Sequence, residues 1–85
     1  MNYYYIVCGK TNPKRVLIDE NKNIIKNTTT HNKEWETLTQ KYNGTKGLFK
    51  HLLKKLHNRR SRKSILHTDG CFVSKVSSEE INILF

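Results

Sequence analysis

The stretch TKGLFKHLLKKLHN, residues 45–58, decides the fold, because its apolar side chains recur at the spacing of an amphipathic helix. At ~3.6 residues per turn, five apolar residues lie within about 140° of one another. These residues are Leu48, Phe49, Leu52, Leu53 and Leu56. The opposite side carries Lys46, Lys50, Lys54 and His57, with His51 and Lys55 flanking it. We therefore expect a helix over 46–58 whose apolar side packs on the rest of the chain.

Three short strands are predicted before this helix. Residues 3–8 form a β-branched and aromatic run, and the runs 16–18 and 24–26 resume the same character. The intervening segments, 9–13 and 19–23, are rich in Gly, Pro, Asn and Asp, which favour turns. The pattern predicts an antiparallel meander of three strands.

A second helix is predicted between the meander and the basic helix. Asn32 is a candidate N-cap, and an apolar stripe with helical spacing runs through Trp35, Leu38 and Tyr42 before Gly44 ends the helix. After the basic helix, the runs 64–68 and 71–76 read as a hairpin.

The C-terminal segment is predicted to be a last helical turn rather than an edge strand. Ser77 and Glu80 have the spacing of a capping box, and they precede the tail, 81–85. The whole chain, residues 1–85, is thus expected to be a single α+β domain. We expect a small antiparallel sheet, made of the N-terminal meander and the C-terminal hairpin, with two central helices packed on it.

The positive charge is concentrated in the centre of the sequence. The net charge is +9, with sixteen Lys and Arg against seven Asp and Glu, and no acidic residue lies between Glu36 and Asp69. Outside this interval the basic and acidic residues cancel. The interval contains the predicted nucleic-acid-binding residues, namely Lys41, Lys46, Lys50, Lys54, Lys55, Arg59, Arg60, Arg62 and Lys63. Three histidines, His51, His57 and His67, add to the positive charge when they are protonated.

This distribution predicts a small basic nucleic-acid-binding protein, with DNA and RNA left open. The predicted helix is about 20 Å long, so several lysines can meet phosphates at once. Lysines predominate over the side chains that read base edges, which favours phosphate contact and weak sequence discrimination.

Two other functions fit the same charge. The protein could be an inhibitor or adaptor, encoded by a phage or mobile element and similar in role to an anti-CRISPR, that binds an acidic surface of a host protein or ribonucleoprotein. It could also be a ribosome-associated component. The Lys-, Asn- and Ile-rich, Ala-free composition indicates an AT-rich coding genome, which suits the phage-encoded alternative.

Two local patterns resemble known nucleic-acid-binding folds. The order helix, turn, basic helix, hairpin resembles the second half of a winged helix, which implies a recognition helix at 46–58 and a wing at 66–73. The loop Gly44-Thr45-Lys46-Gly47 is similar to the glycine-x-x-glycine loop of KH domains, although a helix end followed by a helix start also explains both glycines.

Aromatic residues of the strands offer one further kind of binding surface. Tyr3, Tyr4, Tyr5 and Phe72 could stack on unpaired bases. Alternation along a strand sends Tyr4 to the opposite face from its two neighbours, so at least one tyrosine is expected in the core.

The sequence argues against several classes of protein, namely metalloproteins, enzymes, membrane proteins and secreted disulfide scaffolds. Cys8, Cys71 and His67 lack the paired spacing of a structural metal site, so we expect no metal or cofactor, and the cysteines are read as small buried hydrophobes. No His–nucleophile pattern accompanies the few acids, so an enzyme is not expected. No run of ~20 apolar residues and no signal peptide is present, and two cysteines are too few for a secreted scaffold. We therefore expect a cytoplasmic protein without membrane contact.

Overall fold

The computed structural model describes residues 2–57, 64–66 and 70–84. The elements follow one another as β1 (Tyr3–Cys8), β2 (Lys14–Asp19), β3 (Ile24–Asn27), α1 (Lys33–Lys41), α2 (Thr45–His57), β4 (Ser64–Leu66), β5 (Cys71–Val76), a 3-10 turn (Ser78–Glu80) and α3 (Ile81–Leu84). The predicted α+β fold is confirmed, with a meander, two central helices and a hairpin in the expected order.

The five strands form one antiparallel sheet in the order β3-β2-β1-β5-β4. The most apolar strand, β1, lies in the centre, where Ile6 is paired with Val16 on one side and Val73 on the other. Because β5 pairs directly with β1, the C-terminal hairpin continues the main sheet. It is therefore not a separate wing, and the resemblance to a winged helix does not extend to the fold.

The core lies between α2 and one face of the sheet. The five apolar side chains predicted for α2 are all buried, and they pack on the alternate residues of β1, which are Tyr4, Ile6 and Cys8. Burying such side chains stabilises the fold by roughly 1.5–3 kcal/mol each. The same burial holds the polar side of α2 toward solvent.

Local hydrogen bonds fix the start of α1. Oδ1 of Asn32 accepts a hydrogen bond of 3.1 Å from the backbone N–H of Trp35, as expected for an N-cap. Nδ2 of the same buried residue donates to the carbonyl oxygen of Asn12 at 3.3 Å. Asn32 therefore joins α1 to the loop that connects β1 and β2.

The two glycines between α1 and α2 are required by the turn. Gly44 has a φ of 111°, and a Cβ added to Gly47 would lie 1.9 Å from the carbonyl oxygen of Tyr42. A helix end followed by a helix start thus explains both residues. The glycine-x-x-glycine pattern is therefore explained by the turn, without a KH-like loop.

The C-terminal segment is helical, as predicted. Glu80 Oε1 accepts from the backbone N–H of Ser77 at 3.2 Å, and the capping box is complete. An Arg15 guanidinium N–H donates to the carbonyl oxygen of Leu84 at 3.1 Å, which ties the end of α3 to β2. No helix in residues 2–57, 64–66 and 70–84 has the length and apolar character needed to cross a membrane.

Cys8 and Cys71 form a disulfide between the two central strands. Both are buried, as the sequence predicted, but the disulfide was not predicted. The register places the two residues opposite each other with Cα atoms 4.2 Å apart. In the described part of the chain, no group of three His, Cys, Asp or Glu is placed to hold a metal. Disulfides are rare in the cytosol, and the cytoplasmic location stays a prediction.

Candidate nucleic-acid interface

A groove with a volume of about 600 Å³ opens between α2 and the end of the sheet at which β1 begins. We call it the α2 groove. Its residues come from the start of β1, the turn after β2, the part of α2 from Lys50 onward and the end of β5. They are Asn2, Tyr4, Glu20, Lys22, Lys50, Leu53, Lys54, His57 and Lys75.

The floor of the α2 groove is apolar and aromatic. Tyr4 and Leu53 are only 4% and 5% exposed, and both belong to the core. The Tyr4 hydroxyl lies 3.3 Å from Nε2 of His57, and the two rings meet edge to face with centroids 6.0 Å apart. Burial, with a smaller contribution from the charge of Glu20, raises the pKa of Tyr4.

The rim of the α2 groove carries four lysines from three elements. Lys50 and Lys54 lie one turn apart on α2, and Lys22 belongs to the turn between β2 and β3. Lys75 is paired with Tyr4 across β1 and β5, which places it at the end of the sheet on the helix side. All but Lys22, which is half-buried, are exposed. The polar remainder of the rim is Glu20 and the side chain of Asn2.

The rim lysines are not neutralised by neighbouring acids. Within residues 2–57 and 70–84, the structure shows an ion pair between His31 and Glu36 at 3.5 Å, away from the groove, and no carboxylate within 4.0 Å of the four rim ammonium groups. Among the described residues, four of the five Lys and Glu side chains that line the groove are positive, and such an excess attracts anions. The α2 groove is therefore built to attract anions.

The structure brings only some of the predicted binding residues together. Lys50 and Lys54 line the α2 groove, whereas Lys55, which is also exposed, does not. Lys46 lies near Asp19, whose pKa is lowered mainly by the backbone N–H of Asn23 and to a smaller extent by the charge of Lys46. Lys46 is thus close enough to the last residue of β2 to interact electrostatically with its carboxylate.

Lys41 belongs to a different surface. Its ammonium group lies 5.5 Å from the centroid of the Tyr42 ring, which stacks on His51 with centroids 4.3 Å apart. Lys41 therefore does not contribute to the α2 groove. The remaining predicted residues, Arg59, Arg60, Arg62 and Lys63, lie outside the described residues.

Sequence reasoning missed two of the four rim lysines. Lys22 follows Asp19 and Glu20 in the chain, and Lys75 precedes Glu79 and Glu80, so local charge sums cancel around both. In the folded protein these two lysines line the groove, whereas Asp19, Glu79 and Glu80, which are close to them in sequence, do not. Alternation along β5 places Lys75 on the same face as the buried Cys71 and Val73, but nothing in the sequence places that strand beside Tyr4.

The opposite face of the sheet carries the other candidate stacking residues. Tyr4 is in the core, as alternation predicted for one tyrosine. Tyr3 and Tyr5 are half-buried on the outer face, and Phe72 on the same face is 38% exposed. The fully buried Leu17 shows that this face is partly covered.

No protein-family model, curated protein or solved structure matches this chain. Its function is therefore inferred from the geometry and charge of the α2 groove.

Proposed function

We propose that this protein binds nucleic acid, with phosphates held by the lysines of the α2 groove. The observation that carries the proposal is the convergence of Lys22, Lys50, Lys54 and Lys75 on one concave surface. Among the described residues, this surface contains a single carboxylate, that of Glu20. Two of these lysines come from segments without excess charge. Convergence in the fold is therefore a separate observation from the concentration of charge in the sequence.

The type and spacing of the cations suit a phosphate backbone. Lys50 and Lys54 are four residues apart on one helix, which places their Cβ atoms about 5–6 Å apart. Ammonium groups act as point charges on flexible stems, so they engage successive phosphates without demanding one geometry. Such contacts position a nucleic acid and carry little sequence information.

Two further lysines of α2 enlarge the positive field around this site. Lys46 and Lys55 are exposed on the same helix as Lys50 and Lys54. The other predicted cations lie outside the described residues; they are Arg59, Arg60, Arg62 and Lys63. In the proposal, the rim lysines make the closest phosphate contacts and the other cations raise the rate of association.

The test is an anisotropy titration of a labelled oligonucleotide at a series of salt concentrations. Four phosphate contacts from the rim give a slope of log affinity against log salt of about −3 for a single strand. The double variant Lys50→Glu, Lys54→Glu should bind about tenfold more weakly, or worse, at the same salt. A matched control, Lys10→Glu with Lys33→Glu, changes the net charge equally at exposed positions outside the groove.

Two results would contradict the proposal. Equal losses of affinity in the two double variants would mean that binding depends on the net charge of the protein and not on the α2 groove. An oligonucleotide that is not retained even at low salt would exclude nucleic-acid binding. Capture of one stoichiometric protein that survives nuclease treatment would then support the inhibitor or adaptor.

A further inference from the structure

We infer that the ligand of the α2 groove is a double-stranded nucleic acid, which binds through the phosphates of its outer surface and not through its bases. This inference rests on the proposed function and specifies its ligand. It follows from two properties of the groove. Its apolar side chains are closed to a ligand, and its lysines are held in place by three separate elements of the fold.

The groove offers a ligand mainly charged and polar groups. Tyr4 and Leu53 are only 4% and 5% exposed, so neither presents a face to a base. Among the described residues of the groove, His57 is the one exposed ring, and its Nε2 is directed to the Tyr4 hydroxyl at 3.3 Å. Single-strand-binding proteins instead hold successive bases on several exposed aromatic side chains. The α2 groove is therefore suited to phosphates and not to unpaired bases.

The most exposed aromatic side chain of the described strands lies on the other face of the sheet. Phe72 is 38% exposed, and its neighbours Cys71 and Val73 are buried in the core beneath α2. Alternation along β5 therefore directs Phe72 away from the helix. The rim lysines Lys50 and Lys54 belong to α2, on the opposite side of the sheet. A single strand cannot stack a base on Phe72 while the same nucleotide contacts these lysines.

The four rim lysines suit a ligand that is already rigid. They come from α2, from the turn after β2 and from β5, so three elements fix the positions of their backbones. A single strand must order several nucleotides before its phosphates lie beside all four lysines, and this ordering costs free energy. A duplex is stiff over roughly 150 base pairs, so its phosphates are ordered before it binds. The groove is open, which lets the backbone of a duplex lie across it without bending.

The charge density of the ligand favours the duplex as well. A duplex carries one phosphate per ~1.7 Å of its axis, whereas one strand carries one per ~3.4 Å. Four phosphate contacts give a slope of log affinity against log salt of about −3.6 for a duplex and about −2.8 for a single strand. If the two affinities are equal at about 1 M salt, the duplex binds about sixfold more tightly at about 0.1 M.

The experiment compares one DNA oligonucleotide as a single strand and as its blunt duplex, by anisotropy over a series of salt concentrations. A duplex of about 16 base pairs is about 54 Å long, which exceeds the longest dimension of the protein, 29 Å. The duplex should bind about sixfold more tightly at about 0.1 M salt, and the difference should shrink as the salt concentration rises.

Two variants test whether this preference arises at the groove. Lys50→Gln with Lys54→Gln removes two of the four contacts, so the preference for the duplex should fall to about 2.5-fold at the same salt. The matched control is Lys10→Gln with Lys33→Gln, at exposed positions outside the groove, and it should keep the full preference. His57→Ala should lower the two affinities by the same factor.

Three results would overturn the inference. Equal or tighter binding of the single strand overturns the assignment of the duplex but leaves the proposed function standing. A loss of affinity in His57→Ala that is confined to the single strand also overturns it, because this loss would show that a base stacks on the imidazole. Failure of both nucleic acids to bind overturns the inference and the proposed function together.

Discussion

The hydroxyl oxygen of Tyr4 lies 3.3 Å from Nε2 of His57, which joins the central strand to the last residue of α2 across 53 positions of sequence. This contact fixes the floor of the α2 groove, since Tyr4 is buried in the sheet and His57 is exposed on the helix. This pair of residues therefore connects the core, to which Tyr4 belongs, with the candidate binding surface, to which His57 belongs.

Tyr4→Phe tests the importance of this contact, because it removes the hydroxyl and keeps the ring. The free energy of unfolding should fall by about 0.5–1.5 kcal/mol, the usual net contribution of one hydrogen bond. Single-strand affinity should also fall, because His57 loses its fixed position. The control is Tyr42→Phe, which removes the 3.1 Å contact of Tyr42 with His51 outside the groove. Urea denaturation and anisotropy should show similar stability losses for both variants but weaker binding only for Tyr4→Phe.

The disulfide between Cys8 and Cys71 should contribute strongly to stability. It closes a loop of 63 positions between the two central strands, so its reduction should lower the free energy of unfolding by about 2–4 kcal/mol. Denaturant curves with and without reductant, together with a thiol assay, measure this difference. Two titratable thiols in protein folded under oxidising conditions would contradict the bond.

The same thiol assay on protein from its native source tests the cytoplasmic location, which predicts reduced cysteines.

Asp19 should make stability depend on pH in the acid range. Its carboxylate accepts hydrogen bonds of 2.9 Å from the backbone N–H groups of Asn21 and Asn23, which favour the charged form and lower its pKa. A lowered folded pKa stabilises the protein above the unfolded value of about 3.9, and this contribution disappears as the pH falls through the folded value. Asp19→Asn should therefore lower Tm at pH 6, and its difference from the wild type should shrink toward pH 2. A difference that is constant with pH would contradict this assignment.

The glycines between the helices should act on stability rather than on binding. Gly47→Ala places a Cβ 1.9 Å from the carbonyl oxygen of Tyr42, so the start of α2 must shift and the free energy of unfolding should fall by about 1–3 kcal/mol. Gly44→Ala meets no atom within 4 Å but must adopt a φ of 111°, which costs about 1–2 kcal/mol. Selective loss of affinity without loss of stability in either variant would instead favour a KH-like clamp.

The parts of the fold that were predictable from sequence are those with a local pattern. The strand β1 ends at Cys8, before Gly9, and β5 begins at Cys71, after Gly70. The helix α2 spans Thr45–His57, close to the predicted 46–58. The strand β2 is longer than its apolar residues indicated, because Lys14 and Arg15 pair with the end of β1. Strand length there is set by the partner strand rather than by the residues themselves.

The groove and the disulfide were not predictable in this way. Both depend on the register of β1 against β5, which joins residues more than 60 positions apart and leaves no local trace in the sequence. The same pairing places Lys75 beside Tyr4 at the groove. Sequence reasoning identified Lys50 and Lys54 because their helix has a clear period, but it could not separate them from Lys55, which carries the same charge on the same helix.

Lys54 and Lys55 therefore provide the most direct test of the central claim, which is that anions bind at the α2 groove. The two residues are neighbours, both are exposed on the last turns of α2, and only Lys54 lines the groove. The measurement is the affinity of a labelled single-stranded oligonucleotide for Lys54→Glu and for Lys55→Glu at one salt concentration. We predict a loss of about tenfold for Lys54→Glu and of less than about twofold for Lys55→Glu. Equal losses of affinity in the two variants would show that binding depends on the overall charge of the helix. This result would contradict the claim that anions bind at the α2 groove.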